Sequence, residues 1–177
     1  MKPFAAIALI FTVFLAFAAS AQEEDSWEVM ALSQIIPGTI KGTIESDPAT
    51  GLYTATNGIY VKYKNVTLTA DTAALNMNTG EVDADGNVRI ESGDQLWVGD
   101  HIHYNFKTKM MRTEQFRTGK TPIFAGGTGL TGNNSNHVYT AQNGYVTTDD
   151  SADPAYQVRA SRIKIIPGKS VEMWNAV

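Results

Sequence analysis

The sequence predicts an all-β, antiparallel protein, and three observations carry that prediction. Apolar residues alternate with polar ones, turn residues recur about every ten positions, and the pattern echoes itself at an interval of 29 residues.

Ahead of the strands stands an export address. Lys2, the apolar run from Phe4 to Phe17 and the small-x-small site Ala19-Ser20-Ala21 have the layout of a signal peptide over residues 1–21. The run is too short to span a bilayer. The mature chain is therefore expected to start at Gln22 and to be exported. Residues 22–37 read as a lead-in segment, in which Trp27 to Gln34 fits either a short helix or a strand, and residues 38–177 read as one β-domain.

Within that domain Ile59, Val61 and Tyr63 alternate with Tyr60, Lys62 and Lys64, and Val66, Leu68 and Ala70 alternate with threonines. Leu96 and Val98 form a short set; Ile102, Tyr104 and Phe106 alternate with His101, His103 and Asn105. Tyr156, Val158 and Ala160 follow, then Ile163 and Ile165. Such patterns belong to strands with one face in the core. Asn78-Thr79-Gly80, Asp85-Gly86-Asn87, Ser92-Gly93-Asp94 and Pro167-Gly168-Lys169 supply hairpin-turn chemistry between them. About twelve to fourteen short strands follow from this spacing.

The repeat sets how the strands stack. Tyr53-Thr-Ala-Thr-Asn-Gly58 returns as Tyr139-Thr-Ala-Gln-Asn-Gly144, and Leu68-Thr-Ala70-Asp71-Thr-Ala73 is echoed by Leu96-Trp-Val-Gly99-Asp100-His-Ile102 and by Val158-Arg-Ala160-Ser161-Arg-Ile163. A unit of that size cannot bury its apolar face alone and must stack on its neighbours. The apolar phase slips by one between Ala70 and Ala73 and between Ala160 and Ile163. Such a slip marks a corner where a strand passes from one sheet to the next. An elongated sandwich or roll is expected, with a β-solenoid as the second reading.

Composition narrows function. A formal charge of −4 provides no global field for nucleic acid, which argues against that partner class. The absence of cysteine excludes thiol chemistry and Cys-ligated metal. No Gly-x-Ser-x-Gly elbow, His-Glu-x-x-His or P-loop is present, and the carboxylates fall in turns, so no enzymatic activity and no cofactor are expected.

Four motifs each have a functional and a plainer reading. Gly127-Thr-Gly129-Leu-Thr-Gly132 matches a dinucleotide fingerprint but lacks a βαβ setting, and reads instead as a flexible loop running into Asn133-Asn134-Ser135-Asn136. Asp83-Ala-Asp85-Gly-Asn87 opens like a calcium loop, but Val88 and Asp94 stand where glycine and glutamate belong, which leaves a turn. His101 and His103 share a strand face, with His137 remote, and read as solvent-facing residues rather than metal ligands. The basic group Lys107, Lys109, Arg112, Arg117 and Lys120 reads as a solvated face rather than a steering patch for lipid phosphates.

Two stretches carry a family resemblance. Val66-Thr-Leu-Thr-Ala-Asp71 followed by Gly80-Glu-Val-Asp-Ala-Asp-Gly-Asn-Val88 resembles the signature of the OstA-like domains of lipopolysaccharide transport and assembly proteins. Met111-Arg-Thr-Glu-Gln-Phe116, Tyr145-Val-Thr-Thr148 and Tyr156-Gln-Val-Arg-Ala-Ser161 resemble, more narrowly, the periplasmic part of the outer-membrane assembly member. The resemblance implies an antiparallel β-jellyroll folded as an open β-taco, located in the periplasm or at the periplasmic face of the outer membrane. It also implies lipopolysaccharide or a similar glycolipid as cargo, with other β-jellyroll transport proteins, or further copies of the chain, joined through edge strands. Asp149 and Asp150 stand where many members carry a cysteine, and residues 38–177 fit either a free-standing bridge unit or the periplasmic piece of a longer protein with a membrane barrel.

On that reading the trough is lined by Ile59, Val61, Leu68, Leu75, Val82, Val88, Ile90, Leu96, Val98, Ile102, Phe106, Val158 and Ile163. Each acyl methylene buried there is worth about 0.8 kcal/mol, without direction, so a chain is held yet free to slide. The same residues describe a closed, dry core equally well, because alternation looks the same in both. The alternative function is therefore a structural or glycan-binding envelope module, for which the widely spaced Trp27, Trp97 and Trp174 provide little platform.

Overall fold

The computed structural model describes residues 26–133, 136, 138–151 and 153–177. The signal peptide, His137 and the Asn134-Ser135 part of the expected loop lie outside them. Thirteen strands run in chain order: β1 (Trp27–Ala31), β2 (Thr43–Asp47), β3 (Leu52–Thr56), β4 (Ile59–Tyr63), β5 (Val66–Ala70), β6 (Thr72–Asn76), β7 (Glu81–Ser92), β8 (Gln95–Asn105), β9 (Met110–Lys120), β10 (Ile123–Asn133), β11 (Val138–Thr147), β12 (Val158–Ile166) and β13 (Ser170–Trp174). All pair antiparallel in one sheet, so the fold is all-β as the alternation predicts.

The sheet is creased. β3 and β4 are separated only by Asn57-Gly58, and β5 and β6 only by Asp71. β7 pairs with β6 through Glu81–Asp85 and with β5 through Arg89–Ser92, with a bulge between Asp85 and Val88. Each long strand thus contributes one half to each of two facing half-sheets, and the creases line up along a spine. Residues there need the left-handed region: Asn57, Gly58, Gly86, Asn87 and Asn143 all have positive φ. Asp85-Gly86-Asn87 is therefore a mid-strand corner and not the hairpin turn its composition suggests. The hairpin tips are elsewhere, at Asn78–Gly80, Gly93–Asp94 and Pro167–Lys169 among others.

The 29-residue interval is one hairpin of two creased strands: β3, β7 and β9 begin at Leu52, Glu81 and Met110. Tyr53 and Tyr139 occupy equivalent places on the same inner row of the second half-sheet, which runs Tyr53–Leu75–Val82–Tyr104–Met111–Gly132–Tyr139–Ile165–Val171 in register. The lead-in segment holds both structures left open by the sequence. Trp27–Ala31 joins the sheet beside β4, and Leu32–Gln34 makes one 3-10 turn.

Between the half-sheets lies a single apolar cluster. The first half contributes Ile59, Val61, Leu68, Val88, Ile90 and Trp97; the second contributes Leu75, Val82, Ile102, Tyr104, Tyr139 and Ile163, all 1% exposed or less. The phase slip at Asp71 keeps both halves of a strand facing inward: Leu68 and Ala70 before it, Ala73 and Leu75 after it.

Three of the expected trough residues are not inside. Leu96 and Val98 are half-buried on the outer face, and Trp97 takes the inward place, directly opposite Ile90. The interval of 29 that superposes Asp71 on Asp100 superposes Leu68 on Trp97, not on Leu96. Val158 keeps the inward parity, opposite Val146, but sits at the open rim with 49% exposure. The glycine run from Gly127 to Gly132 is no loop either. It lies within β10, where Gly126 underlies the Tyr145 ring and Gly127 lies against the Gly144 backbone.

Candidate functional site

The two half-sheets diverge along the edge opposite the spine, and the gap is closed at one end and open at the other. At the N-terminal end Trp27 stacks on Tyr63 with centroids 4.4 Å apart and meets the edge of Phe106 at 5.2 Å. Phe106 in turn packs on Tyr104 at 5.1 Å. Trp27 and Tyr63 belong to the first half-sheet and Phe106 and Tyr104 to the second, so this aromatic cluster seals the mouth.

Toward the C-terminal end the tips separate, leaving a cleft of about 720 Å³. That volume lies within the range of small-molecule sites, roughly 300–1,000 Å³. Thr118, Ile123 and Ala125 form one wall; Ile165, Ile166 and Val171 form the other. The rim is polar, with Asn65, Asp94, Gln95, Lys109 and Lys169. Ile123 is 50% exposed, an apolar side chain facing the gap without cover. Of these walls the sequence pattern marks Ile165, which alternates with Ile163, and Val171 in the strand-forming terminal segment. Ile123 opens the glycine-rich β10 and Val171 lies in the five-residue β13, so neither belongs to a run of alternating apolar residues.

Behind the cleft the gap narrows to a contact across the halves: Trp97 and Tyr139 rings lie 4.3 Å apart. Tyr139 is completely buried, and its hydroxyl has no hydrogen-bond partner among the described residues. Burial and the nearby Tyr104 hydroxyl push its pKa up. Leaving such a group unsatisfied costs about 1–3 kcal/mol.

Ten of the thirteen expected trough residues, Ile59, Val61, Leu68, Leu75, Val82, Val88, Ile90, Ile102, Phe106 and Ile163, are buried in the packed interior behind the cleft. None of the ten borders the cleft itself.

The polar motifs have partners in the sheet. His101 and His103 lie opposite Asp85 and Asp83 in register, and their Nδ1 atoms hydrogen-bond the carboxylates at 2.6 Å and 2.8 Å. The bond to Asp85 raises the pKa of His101. Among the described residues no group of three or more possible ligands is placed to hold a metal ion. The basic residues are dispersed. Lys107 donates to the Asn78 carbonyl at 2.6 Å, and Arg117 donates to the Asp150 carbonyl at 3.0 Å in the segment between β11 and β12. Lys109 alone of the group borders the cleft, while the side chain of Lys120 lies outside the described set.

At the crease Asn87 donates to the Asp71 carboxylate at 2.8 Å, and the Asp71 amide donates to the Gly86 carbonyl at 2.8 Å. The two short motifs Ala70-Asp71 and Gly86-Asn87-Val88 are thus the two sides of one corner. A family model for OstA-like protein matches residues 41–145, more than half of the chain. The chain belongs to the OstA-like family. None of the curated proteins compared matches it. The OstA-like stretch takes in the corner, the Ile123–Ala125 wall and most of the packed interior. The opposing wall at Ile165–Val171 lies beyond it, as do the Tyr156–Ser161 motif and nearly all of Tyr145–Thr148.

Proposed function

We propose that this OstA-like chain is a non-enzymatic lipid-binding component of the bacterial envelope. It takes the acyl chains of lipopolysaccharide or a similar glycolipid between its half-sheets and passes them toward the outer membrane. The observation that carries this reading is the cleft between Ile123 and Val171: a largely apolar throat with a polar rim, backed by the apolar cluster between the half-sheets. Acyl chains replace water around Ile123 and Ile165, while Lys109 and Lys169 stand where a phosphorylated head group would lie. Deeper seating requires the half-sheets to part, because the interior behind the cleft is dry.

The signal-peptide pattern of residues 1–21 supports a periplasmic location for the mature chain. The motifs after Tyr145 favour kinship with the periplasmic part of the outer-membrane assembly protein. Neighbouring β-jellyroll proteins, or further copies of this chain, would join it through edge strands.

Photo-crosslinking amino acids test the cargo. Placed at Ile123 or Ile165, they are expected to capture lipopolysaccharide in cells, whereas at the outward-facing His101 and His103 they are not. Labelling that is equal at both sets, or absent from both, would leave the structural or glycan-binding module as the better reading.

A further inference from the structure

We infer that Tyr139 is a polar docking point inside the trough, built to hydrogen-bond a ligand acyl chain that itself carries a polar group close to its head. The inference rests on the lipid-binding reading above and specifies which lipids that site prefers.

The interior is apolar almost throughout, and strand after strand fills it with Val, Ile, Leu or Ala. At Tyr139 a phenol stands instead. Its ring packs over Gly132, against Trp97 at 4.3 Å, so the apolar body of the side chain is fully used. A phenylalanine would make those contacts equally well. The hydroxyl adds only a desolvation cost, since it is buried with no hydrogen-bond partner among the described residues. Fold stability therefore does not account for it.

Position does. In register Tyr139 lies directly beside Ile165, whose other neighbour is Val171, and both of those line the cleft. The Trp97–Tyr139 contact is the first barrier an acyl chain meets on passing from the cleft toward the packed core. A chain that wedges these rings apart brings its first few carbons beside the phenol. A plain hydrocarbon leaves the hydroxyl unpaired there. A hydroxyl or carbonyl oxygen on the chain accepts a hydrogen bond from it and removes the penalty. Tyr104, three strands away on the same inner row, adds a second phenol at this level.

The test uses the mature chain and two N-acyl glucosamines of equal chain length, one plain and one bearing a β-hydroxyl on the acyl chain, with affinities measured by calorimetry. One hydrogen bond gained in a dry site corresponds to roughly a three- to tenfold preference for the hydroxylated ligand. Tyr139→Phe is expected to bring that ratio to about one and to keep or raise Tm in the ligand-free protein. Equal binding of both ligands to the unsubstituted protein, or a preference that survives in Tyr139→Phe, overturns this inference and leaves the lipid reading intact. A Tm drop in ligand-free Tyr139→Phe likewise overturns it, by giving the hydroxyl a structural role. Binding of neither ligand overturns both.

Discussion

Asp71, Gly86 and Asn87 show how three residues fold a sheet in half. At the crease the backbone of β7 passes through two left-handed residues, Gly86 at φ 74° and Asn87 at φ 47°. Asn tolerates that region better than most residues, and its amide is tied to the Asp71 carboxylate at 2.8 Å. Glycine is needed at 86 for a second reason. A Cβ there would stand 2.5 Å from Asp71 Oδ2. Gly86→Ala is therefore expected to destabilise by about 1–2 kcal/mol from backbone strain alone, plus the cost of displacing the carboxylate. Asp71→Ala alone should cost about 1 kcal/mol, and the double variant less than the sum, because the collision is gone. Urea midpoints measure all three; a wild-type midpoint for Gly86→Ala would sink the account. The residues of this corner were legible in the sequence as a family motif, but their task was not. Asp-Gly-Asn has the same composition at a hairpin tip and at a mid-strand bulge, and only the partner across the ladder distinguishes them.

At the scale of a strand the question is which face points inward. β8 is the informative case, because Leu96 and Val98 look like an alternating apolar pair flanking an isolated Trp97. The crease at Gly99–Asp100 reverses the parity between the halves, so that Ile102 and Tyr104 face inward together with Trp97. Leu96 is left opposite Gly119 on the outer face, and Val98 lines an outer cleft with Tyr145 and Pro154. Trp97→Ala is expected to cost about 3–5 kcal/mol, the range for emptying a packed aromatic site. Leu96→Ala, at a half-buried outer position, should cost roughly 1 kcal/mol. Thermal or denaturant unfolding of the two variants decides the matter; a larger loss for Leu96→Ala would reverse the assignment of faces. Away from creases the period of two located strand after strand and ten of the thirteen expected interior residues. It failed at β8 because a single phase cannot be extended through a corner. The repeat contained the correction, since its interval aligns Leu68 with the tryptophan.

For the whole molecule the outstanding feature is that the sheet does not close on itself. Among the described residues β1 and β2 pair on one side only, with β4 and β3, and at the far end β13 pairs only with β12. Val177 extends that second edge across the crease through two backbone hydrogen bonds with Arg159. Unpaired strand edges are normally blunted or used for strand addition. The two edges here are complementary in direction. β2 runs from crease to tip and β13 from tip to crease, so a second molecule can continue the sheet antiparallel with creases aligned. That register sets Ile44 against Met173 on the inner face, extending the apolar interior from one copy to the next. On the outer face it sets Glu45 against Glu172, whose charge Lys164 already partners at 3.2 Å. Joining unlike edges is a head-to-tail contact that propagates, whereas pairing β13 with β13 stops at a two-fold dimer. The chain has no cysteine, so engineered thiols report contacts without background. Residues opposed in an antiparallel pair have Cα atoms about 4.5–5.5 Å apart, within reach of a disulfide. Mixing Glu45→Cys with Glu172→Cys under mild oxidation is expected to give a mixed dimer, in a yield that rises with concentration and exceeds that of either variant alone. A chain carrying both substitutions should form a ladder of higher species on a non-reducing gel. Cross-linking of Glu172→Cys with itself alone would replace the head-to-tail join with a two-fold one. Absence of any cross-link at high concentration would remove the edges as assembly surfaces between copies of this chain.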